Sequence, residues 1–375
     1  MRRLVCLLAL CVLIASGAAF ANTIQVVATG DCGQDLTNVR NAVQGAMSGD
    51  VVQLLPGSTN VFNMACAVND GNPGVFIGTP DIAITAPNGP VVLQGPGSAD
   101  LSQLSGIVVT ADSFRMDGVT VRGWYFGVLL FSLNGQPLYN STVSNSRFED
   151  NIIGYQANNG VTGSYLVGNT FLLPQPPSMD PSSPFFLVIG AIMVNSNHSV
   201  MSGNTVIGPG QLSHFTSTAQ LVVSQSATKV PIHTIGIWQI DSTPPASRYS
   251  LISNNNITGV DLGIQASSDY GVTSGNIVKH CAIGIAISND TDDGVTAAQH
   301  HIVTQNVSVD NNVGVWLAST QNSTVSLNDF RDNSLAGIVL LANPGGGPST
   351  DDRLILNMGS KNGVGEDHSD GMGHP

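Results

Sequence analysis

Ten glycines, Gly74, Gly106, Gly127, Gly154, Gly190, Gly236, Gly263, Gly284, Gly314 and Gly337, each precede a short apolar run. Examples are Gly127-Val-Leu-Leu, Gly284-Ile-Ala-Ile, Gly314-Val-Trp-Leu and Gly337-Ile-Val-Leu. The shortest intervals are 21, 21, 23, 27 and 27 residues, and polar Asn-, Asp-, Ser- and Thr-rich stretches fill them. A repeat of this length constrains the fold more than any motif does, because each unit is too small to bury its own core.

A second column accompanies the first. Asn145, Asn256, Asn276, Asn306 and Asn328 stand seven to nine residues before a repeat glycine. Each unit then reads as a short strand, a polar corner and a second strand after the glycine. Gly at the corner supplies positive φ without steric cost, and Asn tolerates the same region and stacks into amide ladders. Ile and Val suit the strands. The Leu offsets of leucine-rich repeats are absent, and propeller blades of about 40–45 residues are too long. The pattern predicts an all-β, single-domain right-handed parallel β-helix. On these columns the chain resembles the pectate-lyase-like β-helix superfamily over roughly Leu36 to Leu356. The resemblance implies a solenoid that works on, or holds, polysaccharide in a groove along its coils.

Residues 1–21 read as a secretory signal peptide: Met1-Arg2-Arg3, an apolar run through Ile14, and Ala19-Phe20-Ala21 before Asn22. Loss of Arg2 and Arg3 with this leader takes the formal net charge from −13 to about −15. So acidic a surface argues against nucleic acid and anionic membranes as partners, and no later segment is long and apolar enough to span a bilayer. A polyuronate substrate would need a local basic patch or bridging Ca²⁺. Three cysteines follow the leader. The secreted context permits a Cys32–Cys66 disulfide, and Cys281, inside a repeat, reads as a small buried hydrophobe.

Asp35 to Met47 predicts an amphipathic capping helix, with Asp35 as its cap and Leu36, Val39, Val43 and Met47 on one face. The expected organisation is leader 1–21, β-helix 22–361 and a disordered tail 362–375. The long intervals between Gly154 and Gly236 hold insertions, and Asn204-Thr-Val-Ile raises an extra coil within the second.

Candidate chemistry falls into three groups. Arg122, Arg147, Lys279 and Arg331 precede repeat glycines by five to seven residues, with Glu149, His280, Asp310 and Asp332 beside them. Stacked, they form a mixed ridge fit for an anionic sugar with Ca²⁺. The pectate-lyase resemblance implies a basic proton-abstracting residue, hence Arg147, Lys279 and Arg331 as catalytic candidates and Glu149, His280, Asp310 and Asp332 as substrate contacts. Asn289-Asp-Thr-Asp292-Asp293-Gly294 is the densest acidic cluster, and Asp292 and Asp293 are the carboxylate pair a hydrolase would use. The Asn-Thr-Asp, His-Gly and Arg-Ile-Lys motifs of polygalacturonases and the Asp-Pro-His-Asp motif of alginate epimerases are not in the sequence. Trp238 and Trp316, two residues past a repeat glycine, present rings for sugar stacking, as does Trp124-Tyr125-Phe126. A third function class, metal delivery, draws on His300-His301 and the tail histidines, although no spacing matches a closed metal site. The sequence therefore supports a secreted polysaccharide-binding β-helix, catalytic as lyase or hydrolase, or else a non-catalytic scaffold for glycan or protein.

Overall fold

A computed structural model describes residues 21–97, 103–133, 135–158, 160–180, 182–183, 185–213, 232–240, 248–288, 298–341 and 349–363. One coil shows the plan. Leu262–Ala266 belongs to a ten-stranded sheet, Val272–Ser274 to a twelve-stranded sheet and Ile277–Lys279 to a nine-stranded sheet. The chain then returns to the first sheet at Ile283–Ser288, where it pairs in parallel with Leu262–Ala266. Repeated along the chain, this gives three parallel sheets around one core, a parallel β-helix. No extra coil lies between Gly190 and Gly236: Val188–Val194 pairs directly with Thr234–Ile240. Asn204-Thr-Val-Ile instead supplies the nine-stranded sheet's strand Thr205–Ile207.

The strands are mostly three to seven residues long and rich in Val and Ile, and in the three-residue strands of the twelve- and nine-stranded sheets the middle side chain turns inward. Val278, Val206, Ile257, Phe148 and Phe171 are all essentially inaccessible. Phe148 and Phe171 stack with ring centroids 4.7 Å apart.

The repeat glycines sit differently from the corner the sequence predicts. None of the ten has positive φ. Each lies just before a ten-stranded-sheet strand or within its first three residues, where alternation resets. Ile283 joins an outer apolar cluster, Ile285 and Ile287 join the core, and Ala286 faces out again. A Cβ on Gly284 would lie 2.7 Å from the carbonyl oxygen of Gly314, and one on Gly314 2.5 Å from that of Gly337. The same holds at Gly74 against Gly106 (2.7 Å), Gly106 against Gly127 (2.8 Å) and Gly236 against Gly263 (2.6 Å). Close approach between coils, rather than left-handed backbone, excludes a side chain.

Nine left-handed residues occupy the one- or two-residue turn between the twelve- and nine-stranded sheets: Gly118, Asn145, Gly168, Gly203, Asn254, Gly275, Gln305, Leu327 and Leu356. The next residue forms the amide ladder. Asn169, Asn204, Asn255, Asn276, Asn306 and Asn328 each donate from Nδ2 to the Oδ1 of the next Asn at 2.9–3.0 Å, and Asn357 ends the ladder. The sequence columns therefore hold for Asn276, Asn306 and Asn328. Asn255 replaces Asn256, whose side chain is exposed, and Asn145 is a corner residue.

The helix spans Cys32–Gly45 and starts three residues earlier than predicted. Its cap is Asp31, which accepts from the Gln34 N–H at 2.8 Å. Asp35 is buried and accepts instead from the backbone N–H groups of Thr29, Gly30 and Asn63. Leu36, Val39 and Val43 pack inward, whereas Met47 lies beyond the helix and is exposed. The Cys32–Cys66 disulfide is present, and Cys281 is free and buried.

Candidate functional site

The nine-stranded sheet and the turn after it carry the predicted ridge, split into two patches. In the first, Glu149 pairs in register with Arg122. Arg122 also donates to Gln94, and Arg147 donates to Glu149 from the same strand. The next three strands put Leu172, Ile207 and Thr258 at the Glu149 position, before Lys279. Glu149 and Lys279 are thus four strand spacings, about 19 Å, apart.

The second patch gathers Lys279, His280, Asp310, Arg331 and Asp332. His280, Asp310 and Asp332 are the left-handed residues of the second corner (φ 54°, 57° and 60°). Arg331 grips Asp329 with Nε and Nη2 at 2.8 and 2.6 Å. These hydrogen bonds hold the Asp329 carboxyl below the usual carboxylate range, with smaller help from the charge of Lys279, and raise Arg331. Asp332 faces Lys361 at 3.8 Å. The guanidinium of Arg331 is therefore held protonated and already matched to a carboxylate. Asp292 and Asp293 lie outside the described residues. Among the described residues, no three His, Cys, Asp or Glu side chains meet as a metal cluster, and no helix is long and apolar enough to cross a membrane.

The ten-stranded sheet presents a different surface. None of its ten strands contains an acidic or basic residue. Outside the core, Ile189, Ile192, Ile235, Leu262, Ile283, Ala286, Val313 and Val339 form a second apolar cluster on its outer face. Trp238 and Trp316 pack against that cluster, half-buried, in one column. Gln265 and Ala286 stand between them in register, so the two rings are three strand spacings, about 14 Å, apart. Both indole N–H groups are shielded from water and find no acceptor among the described residues. Trp124, by contrast, is fully buried in the core and donates to the Leu93 carbonyl at 3.2 Å.

One edge of this face is fixed by Asp261, which sequence reasoning missed. Its carboxylate accepts from the N–H groups of Leu212, Ser213, His233 and Thr234. It ties together both ends of the long connection between Thr205–Ile207 and Thr234–Ile240. The only trace in sequence is an Asp where the next coils carry Ala282 and Asn312.

His300 and His301 diverge. His300 is exposed. His301 is buried, with Nδ1 at 3.2 Å from the Ser268 carbonyl and Nε2 at 3.0 Å from the Thr273 hydroxyl. Burial pushes its pKa down to about 4, and pushes the Cys281 thiol up to about 12. Both ring nitrogens of His301 are thus engaged within the protein, and the Cys281 thiol is held protonated.

No model of a known protein family matches the chain, and no curated protein matches it. Solved structures do. An alginate lyase from Paenibacillus sp. str. FPU-7 superposes with a TM-score of 0.53 at 12% identity, over 87% of this chain and 99% of that one. A polygalacturonase from Erwinia carotovora ssp. carotovora gives 0.51 at 10% identity, over 91% and 97%. A GH136 lacto-N-biosidase from Eubacterium ramulus gives 0.52 at 10% identity, over 91% and 67%. The chain therefore shares the parallel β-helix fold of these structures, and identities this low carry nothing finer.

Proposed function

We propose that the protein is a secreted β-helix that binds glycan on the outer face of its ten-stranded sheet. The observation that carries this reading is the column of two half-buried tryptophan rings, Trp238 and Trp316, on a sheet whose strands carry no charge. Sugar rings offer apolar faces on which indole rings stack. The absence of charge on these strands favours neutral sugars over uronates, since nothing there offsets an anion's desolvation. The alginate lyase, polygalacturonase and lacto-N-biosidase that share the fold all act on glycans by name, which supports the substrate class. The Cys32–Cys66 bridge supports export past the leader 1–21.

Affinity electrophoresis and calorimetry against neutral and acidic glycans test the reading. The expected result is binding to a neutral glycan that survives EDTA. It should weaken about tenfold or more, equivalent to about 1.4 kcal/mol, in Trp238→Ala and Trp316→Ala. Binding unchanged in both variants would refute it. A second reading, Ca²⁺-dependent lyase action on a polyuronate, draws on the Lys279–Arg331 patch. It requires a new ultraviolet absorbance from the unsaturated product, lost in Arg147→Ala, Lys279→Ala or Arg331→Ala. A hydrolase would instead release reducing ends and depend on Asp292 and Asp293.

A further inference from the structure

The twelve-stranded sheet carries a surface that neither the ridge nor the tryptophans account for. His198, Tyr249, Tyr270 and His300 occupy the same corner position in four successive coils, just before the strands Val200–Ser202, Leu251–Ser253, Val272–Ser274 and Ile302–Thr304. Their rings stack, with centroids 5.2, 5.7 and 4.8 Å apart and interplanar angles of 31°, 28° and 17°. All four have left-handed backbones, at φ 51°, 62°, 54° and 55°. That conformation costs a non-glycine residue roughly 1–2 kcal/mol. Burial does not offset it, because Tyr249 is 53% and Tyr270 45% exposed. Other coils place Asp81, Ser113, Asn140, Gly163, Asn322 and Asp351 in this column, small or polar residues and mostly the Asn, Asp and Gly that backbone energetics favour.

Two more columns run beside the rings in exact register. Val200, Leu251, Val272 and Ile302 form an aliphatic line, and Ser202, Ser253, Ser274 and Thr304 a hydroxyl line. Ser253 donates to the Ser202 hydroxyl at 3.0 Å. No charged residue lies within the three columns; Arg248 and Asp269, bridged to each other in register, border them.

The geometry points to a track for one extended, uncharged polysaccharide chain lying parallel to the solenoid axis, one sugar per coil. Successive coils are about 4.8 Å apart, close to the advance of one hexopyranose in an extended β-linked chain. Each ring would rest its apolar face on the aliphatic line, with Ser or Thr hydroxyls on one side and Tyr hydroxyl or imidazole nitrogen on the other. Size decides against a protein partner. The three columns over four coils cover on the order of 250 Å², against ~800 Å² per partner in a stable protein interface. The lack of charge decides against a polyuronate. This inference rests on the glycan-binding reading but places a second contact on a different sheet.

The test uses the full secreted chain with microcrystalline cellulose, colloidal chitin and soluble mixed-linkage β-glucan as probes. Tyr249→Asn, Tyr270→Asn and the double variant remove the rings while keeping a residue this corner already accepts. The expected result is a fall of about tenfold or more in the partition constant for at least one probe, with the melting temperature held or raised. Tyrosine variants that bind like the parent while Trp238→Ala weakens overturn the track alone. Tyrosine variants that weaken while both tryptophan variants bind like the parent uphold the track and overturn the ten-stranded-sheet reading. A parent that binds none of the three probes overturns the track.

Discussion

At the scale of single residues, His301 makes the sharpest prediction. Both ring nitrogens are satisfied by a neutral imidazole, and the ring fills the space over Gly271. Its folded pKa, about 4, lies below the value of 6.5 for a free side chain. The unfolded chain therefore binds a proton first as pH falls. Stability is fully present above pH 6.5 and declines as pH drops through 4, by on the order of 3 kcal/mol. Denaturant titrations from pH 7 to 4 should show this loss in the parent and a flatter profile in His301→Gln. Parallel profiles would show that His301 does not control this window. The depressed carboxylate of Asp70, at about 2, belongs to a lower range and does not interfere. His301 also marks a limit of sequence reading. Nothing in His300-His301 tells which ring turns inward, because that depends on the corner residue being His300.

At the scale of the element, the repeat glycines were visible in sequence but their physical reason was not. Spacing located all ten, yet spacing is silent on whether a glycine supplies positive φ or close approach. The two readings predict different substitutions. Close approach makes even Ala unacceptable: Gly314→Ala would drive a Cβ against the Gly337 carbonyl and within 2.7 Å of Asn333 Nδ2. The expected loss is about 2–3 kcal/mol. Gly118, a left-handed corner with room for a side chain, should accept Asn within about 1 kcal/mol, as Asn145 does one coil on. Equal melting of Gly314→Ala and the parent would refute the close approach. The amide ladder was legible only where a lone Asn stood in the column. In Asn254-Asn255-Asn256 three candidates were adjacent, and a shift of one residue exchanges buried for exposed. The aromatic ladder was invisible because intervals of 51, 21 and 30 residues separate its members, and only strand register aligns them.

For the whole molecule, the composition and repeats gave the architecture, whereas the surfaces depend on which coils become neighbours. The predicted ridge shows this: residues similar in local position were divided by three intervening strands. The disulfide acts at this scale, fastening the helix to the first coils across 34 residues. Reduction should lower stability by about 3–4 kcal/mol. Thiol labelling of the exported protein in denaturant without reductant should modify Cys281 alone, on a chain beginning at Asn22. Labelling of Cys32 or Cys66, or a mass that retains Met1, would contradict the secreted reading. The matched columns also bear on inheritance. Excising the 21 residues from Gly263 to Ile283 would bring Gly284 beside Gly236 and Asn276's successor, Asn306, next to Asn255, with every ladder resealed. Such a gene can gain or lose length in whole turns without a frustrated intermediate, so its descendants would differ by copy number of coils, and any track laid along the axis would lengthen or shorten by whole sugars.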